Sequence, residues 1–194
     1  MKKTKLRHDT IDLKKSKQND RIIRRTWWIE RIVDFLTDSV LVLPFPLISG
    51  IVFFDQVEGG DHVVGASIFF GISLILGGLL LYSLIKGDNL KRIEGALKNH
   101  NRQIIKELSE KHGWNLQVHS QQLSVLSPSW SLGLMYWGRQ LVVIYDRQDI
   151  LINVTSYGIH DMKSPFHWFG NRKIERTVKD LFENEIKNDT SSKT

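Results

Sequence analysis

Cysteine is absent from the 194 residues, which excludes a disulfide scaffold, zinc–thiolate sites, a thiol nucleophile and cysteine-ligated iron–sulfur clusters. Basic residues are absent from the fifty residues between Leu36 and Ile85, which hold four acids, Asp38, Asp55, Glu58 and Asp61. The flanks have the opposite balance: eleven Lys/Arg against five Asp/Glu in residues 1–35, and sixteen against twelve in residues 86–194. With 14 glycines and 4 prolines the chain is not of low complexity. Catalytic signatures are missing as well: there is no P-loop, GxGxxG, HExxH, GxSxG or DxD pair. The expectation is a non-enzymatic chain without cofactor or metal. No secretory signal is expected, because the first apolar run starts near residue 36 behind a long basic segment and lacks a small-residue cleavage site.

What fills the gap in basic charge is apolar. Val63–Ile85 is an uncharged run of 23 residues, roughly 34 Å as a helix, against about 30 Å of hydrocarbon in a bilayer. Its Gly and Ser residues suit a membrane helix, and Ser67/Gly71 and Ser73/Gly77 have the small-xxx-small spacing of close helix contacts. Leu36–Phe54 is a shorter run with Asp38 at its start and Pro44 and Pro46 in its middle, so a kinked span competes with a re-entrant segment. Asp55–His62, with three acids and Gly59–Gly60, is expected to be the outside loop of a hairpin with spans near 36–54 and 63–85. Lys/Arg asymmetry puts both termini in the cytoplasm and the joining loop outside.

The N-terminal arm divides in two. Residues 1–19 are polar and Lys-rich, and are expected to be a disordered basic tail. Residues 20–35 have Ile22, Ile29, Ile32 and Val33 on one face and arginines on the other, which predicts an amphipathic interfacial helix on anionic lipid. A nucleic-acid arm is the alternative, and no direct DNA binding is expected. Trp27, Trp28, Arg24, Arg25, Arg31 and Tyr82 are the expected membrane anchors.

Residues 86–188 predict a cytosolic α+β domain in the order α-β-β-β-β-α with an antiparallel sheet, and residues 189–194 a tail. The first helix is expected from about Asp88 to Lys111, with Asn101 interrupting its apolar seam and Gly113 ending it. Alternation around Ser120–Gln122 and the β-branched runs on either side of Asp146–Asp149 predict two hairpins. Turn chemistry explains Asp146 and Asp149 better than acid–base catalysis. A last amphipathic helix is expected over Asn171–Lys187, with Asn171 as its N-cap.

Aromatic residues and cations interleave in the loops of this domain. Trp130, Tyr136, Trp137 and Trp168 alternate with Arg139, Arg147, Lys163, Arg172, Lys173 and Arg176. Aromatic faces stack bases, while arginine and helix N-termini bind phosphate, so these residues with Asn171 form a candidate site for an anionic ligand such as a nucleotide. The same aromatics serve equally well as the core of a small domain. His160, Asp161 and His167 are too loosely grouped to argue for a metal.

In layout, a basic arm, a two-pass hairpin and a small cytosolic α+β domain, the chain resembles the two-pass CRISPR-associated membrane effectors of bacterial anti-phage defence gated by cyclic oligoadenylate. The resemblance implies a homo-oligomer whose cytosolic domains bind a cyclic oligonucleotide and whose spans perturb the membrane. It rests on no diagnostic motif and assigns no residue a role. The alternative is a non-catalytic membrane adaptor or assembly protein that binds a protein partner through its cytosolic domain.

Overall fold

The runs Leu141–Tyr145 and Ile150–Ile152 place apolar side chains on both faces of a sheet, so both faces need a cover. The computed structural model, which describes residues 10–40, 42–60, 62–127, 138–157 and 162–191, shows what supplies it. The chain forms two compact units, one of Trp27–Lys86 and one of the N-terminal segment joined with Gly87 onward.

The second of these is an α+β domain. Strands β1 (Lys91–Ile93), β2 (Asn115–His119), β3 (Leu123–Ser127), β4 (Arg139–Asp146) and β5 (Asp149–Ser156) form one antiparallel sheet in the order β1-β5-β4-β3-β2. Two helices cover one face: α5 (Lys98–Lys111) through Ile104, Ile105 and Leu108, and α6 (Trp168–Ser191) through Ile174, Val178 and Phe182. The opposite face buries Leu123, Val125, Val142, Ile144 and Leu151 beneath Ile11 and Ile22 of the N-terminal segment. That segment carries a short helix, α1 (Leu13–Gln18), capped by the Asp12 carboxylate on the Lys15 N–H.

Residues 10–19 are therefore ordered domain structure, in contrast to the expected disordered tail. Residues 21–26 are not helical, with Arg21 bridging to Asn89 and Arg24 to Ile11, so the helix expected over 20–35 starts only at α2 (Trp28–Ser39). The physical reason is burial: Ile11 and Ile22 gain more by sealing the second sheet face than a basic arm gains from solvent. Backbone bonds from Ile22 N to Asp88 O (2.8 Å) and Leu90 N to Asp20 O (2.8 Å) fasten the segment to the chain returning at Gly87. Asn153 Nδ2 donates to Gly87 O and Asn89 O from β5, fixing that return point.

The element order also differs from the expected α-β-β-β-β-α. Residues 88–97 are not helical: β1 pairs with β5, and a loop follows before α5. Asn101 explains the break. Fully buried, it accepts the Ala96 N–H (2.8 Å) and donates to Ala96 O (3.1 Å) and Gln148 O (2.8 Å), so it pins this loop and serves no subunit seam. Gly113, at φ 64°, ends α5 as expected. Helix α6 begins three residues before Asn171 and runs beyond residue 188 to Ser191.

The other unit is helical: α2, α3 (Pro44–Gly59) and α4 (Val63–Lys86). Among the described helices α4 alone is long and apolar enough to cross a membrane, about 36 Å over its 24 residues. Helices α2 and α3 reach that length only together, across a bend of 60°. Pro44 opens α3 instead of kinking a continuous span, because its missing N–H costs nothing at the first helical position. Helix α3 then absorbs Asp55–Gly59, five residues of the expected outside loop, and stops where Gly60 turns left-handed at φ 73°. Small residues let α3 and α4 approach: Ser49, Gly50, Ser73 and Gly77 are buried, Phe53 stacks on Phe70 at 5.3 Å, and Pro46 lies against Gly77. Most of the large apolar side chains face outward, with Ile51 70% and Ile75 66% exposed, while Val42 and Leu84 are buried.

Candidate functional site

The cations singled out from the sequence do not converge. Strand β4 carries Arg139 at one end and leads into Arg147 at the other, roughly 24 Å apart along the strand. The α+β domain therefore has two charged ends to weigh.

At the Arg139 end the cations are occupied internally. Arg139 is buried and donates from Nε to Ser156 Oγ (3.3 Å), which donates to Asn171 Oδ1 (2.8 Å). Asn171 is thus a buried link between β5 and α6 and not the expected N-cap. Arg172 donates to Glu175 Oε2 (2.6 Å), and its guanidinium lies 5.9 Å from the Trp168 ring centroid. Glu175, 2% exposed, also accepts the Val154 N–H (3.2 Å), which extends beyond the reach of β1. Burial pushes the Glu175 carboxyl upward, and Arg172 with the Val154 N–H offsets only part of that push. His167 bonds Ser164 Oγ at 2.7 Å, and burial followed by the charge of Arg139 lowers its pKa. Among the described residues no acid orients this Ser–His pair, so it has no triad geometry.

The Arg147 end is built around a hub that the sequence reading missed. Arg92 of β1 donates to Asp146 Oδ2 (3.0 Å), Asp149 Oδ2 (3.0 Å), Asp20 Oδ1 (2.9 Å) and Lys17 O (3.3 Å). Lys17 donates to Tyr145 O (2.5 Å) and lies 3.6 Å from Asp146. Partial burial pulls the guanidinium's pKa down, but the three carboxylates outweigh it and the net shift is upward. Asp146 is shifted down: burial acts against ionisation, and Arg92 and Lys17 overcome it. Arg147 and Gln148 form the two-residue tip of the β4–β5 hairpin, with Arg147 at φ 54°. An open cleft of about 610 Å³ lies here, lined by Lys14, Lys17, Gln18, Arg92 and residues 146–149.

The other sequence-derived candidates sort as follows. Lys163 is half-buried against Asp88 at 2.6 Å and braces the return point at Gly87. Lys173 and Arg176 are exposed on α6. Trp130, Tyr136, Trp137, His160 and Asp161 lie outside the described residues. Of the expected anchors, Arg24 and Arg25 belong to the α+β domain, where Arg24 Nη2 donates to Tyr157 Oη (3.4 Å). Trp27 and Trp28 are exposed at the start of α2, which also carries Arg31, and Tyr82 is exposed on α4 with the Lys86 ammonium 6.0 Å from its ring. Among the described residues no group of His, Asp and Glu is placed to hold a metal ion.

The Arg92 hub escaped notice because its partners lie 54 to 75 residues away. The one local signal was the pair of carboxylates flanking the DRQD turn, which asks for a cation between them. Comparison of the chain with protein-family models, curated proteins and solved structures gives no match, so its function is read from its own residues.

Proposed function

We propose that the chain is a two-pass protein of the bacterial cytoplasmic membrane, with both termini cytoplasmic, whose α+β domain senses an anionic ligand. The observation that carries the membrane part is the insertion of an outward-apolar helical unit into a single domain. The chain leaves that domain after Thr26 and rejoins it at Gly87, with residues on the two sides of the insertion hydrogen-bonded to each other. A domain built from both flanks stays on one side of a bilayer, so the insertion crosses an even number of times. If α4 crosses, the bent pair of α2 and α3 crosses as well. The sensing part is supported by Lys14, Arg147, Lys173 and Arg176, which pair with no acid among the described residues, and by the attachment of the domain to the helical unit through two chain junctions.

The absence of cysteine makes the topology directly testable. Single cysteines are placed at Glu58, in the last turn of α3, and at Lys187, on α6. In intact cells a membrane-impermeant maleimide should label Glu58→Cys and should reach Lys187→Cys only after permeabilisation. Labelling of neither position in intact cells would overturn two crossings. The effector role implied by the layout resemblance predicts a homo-oligomer that leaks dye from proteoliposomes when the ligand is present. Proteoliposomes that stay sealed with every anion that binds would leave the adaptor reading in its place.

A further inference from the structure

Two of the cations lining the cleft, Arg92 and Lys17, pair with carboxylates, and two do not. Lys14 and Arg147 make no hydrogen bond or ion pair with any described residue, and both line the 610 Å³ cleft. The amides of Gln18 and Gln148 belong to the same lining, as do Asp146 and Asp149, and the four lining cations Lys14, Lys17, Arg92 and Arg147 outnumber these two carboxylates. The volume lies in the range of small-molecule sites.

The tip that presents Arg147 is held from three directions. Asn101 binds Gln148 O from beneath, Arg92 holds both flanking carboxylates, and Lys17 holds Tyr145 O. Backbone contact with the neighbouring loop is so close that a Cβ on Gly95 would meet Gln148 O at 2.6 Å. A non-glycine residue at φ 54° costs about 1 kcal/mol or more and persists where its surroundings over-determine it. The backbone that carries Arg147 is therefore held in place before any ligand arrives, and its exposed side chain extends from a fixed point.

Resting on the sensing function proposed above, we propose that this cleft binds a multiply charged phosphate group between Lys14 and Arg147, and that the bound phosphate clamps the N-terminal segment onto the β4–β5 tip. Among the described residues no aromatic side chain lines the cleft, and the lining offers charge and amide donors for recognition. Lys14 lies on α1, twelve residues before the chain leaves for the helical unit at Thr26, so the phosphate fixes one of the two junctions. A free polyphosphate and a phosphomonoester lipid headgroup offer the same chemistry.

The test uses the full chain in detergent, titrated calorimetrically with inorganic tripolyphosphate, and in nanodiscs of phosphatidylcholine with and without phosphatidic acid. Lys14→Ala and Arg147→Gly should each weaken binding about tenfold, the loss of one charge-assisted contact. Glycine removes the cation while relieving the φ 54° strain, so a loss in Arg147→Gly is not misfolding. Hydrogen exchange of residues 10–26 should slow with tripolyphosphate if the source is free, or only in phosphatidic acid nanodiscs if it is lipid. Binding that survives both variants but is lost in Lys173→Ala or Arg176→Ala overturns the cleft and leaves anion sensing standing. No binding to either phosphate source overturns both.

Discussion

The two units use the same residue types in opposite ways. In the α+β domain Leu141, Val143, Ile150 and Ile152 are buried completely, and the buried Glu175 is paired with Arg172. In the helical unit α4 has a mean hydropathy of 2.3 over its most apolar window, yet only 22% of that window is buried. Its buried residues are mostly small (Ala66, Ser73, Gly77, Ser83), while Gly65, Ser67 and Gly78 and most of its Ile, Leu and Phe side chains are exposed. A domain in water gathers apolar surface to remove it from solvent. A hairpin in lipid gains nothing that way and packs through close backbone approach instead. The contrast teaches that apolar residues can pack in opposite directions, and it supports the proposed membrane setting of the helical unit.

The most severe test of that contrast is Ile75→Arg. On a helix in water, an arginine at a 66% exposed position changes little. At the centre of a membrane span it costs about 3 kcal/mol of insertion. We expect the variant to leave the alkali-resistant membrane fraction, and retention there with unchanged yield would break the comparison. Next in size is Asn101→Ala, which strands Ala96 and Gln148 backbone groups in the interior. A loss of about 2–3 kcal/mol is expected, read from thermal unfolding followed by Trp114 fluorescence.

Ile22→Ala sharpens the boundary between the units. If residues 10–26 belong to the domain, it costs about 2 kcal/mol, the low end for a buried isoleucine because Ile22 sits at the edge of the core. A disordered arm would give no change in the unfolding midpoint. The smallest effect is a pH limb. The fully buried Tyr145 hydroxyl bonds Ser124 Oγ at 2.8 Å, and burial, against the opposing pull of Ser124 and Arg102, pushes its pKa from 10.0 up to about 12. The phenol's stabilisation is then complete below pH 10 and is lost as pH rises through 12. Tyr145→Phe should cost about 1 kcal/mol at neutral pH and flatten the stability loss between pH 10 and 12. An unchanged alkaline limb would show that other groups produce it.

Much of the fold was legible because it is written locally. Both predicted hairpins, the end of α5 at Gly113 and the long apolar α4 follow from alternation, a left-handed glycine and hydropathy over neighbouring residues. The helix expected over 88–111 was misread because Leu90 and Ile93 keep helical spacing with Leu97 and Ile104 while facing β5 and the sheet core. The runs on β4 and β5, apolar on both faces, did carry the message that a second cover was needed. Nothing local said that the basic arm supplied it. The candidate site was the least legible part. Arg139, Lys163, Asn171 and Arg172 looked like free ligands and are internal braces, while Lys14 and the Arg92 hub gave no motif at all.

By itself the sequence determined an apolar hairpin without basic charge, antiparallel strands and a net cationic domain, since periodicity and charge balance are properties of adjacent residues. Only the tertiary structure decided that residues 10–26 and 87–191 make one domain, that Arg172 at the Arg139 end is paired with Glu175, and that Lys14 and Arg147 share a cleft. The reason is physical: a side chain is spent or free according to partners up to 133 residues away, and no local pattern encodes those distances.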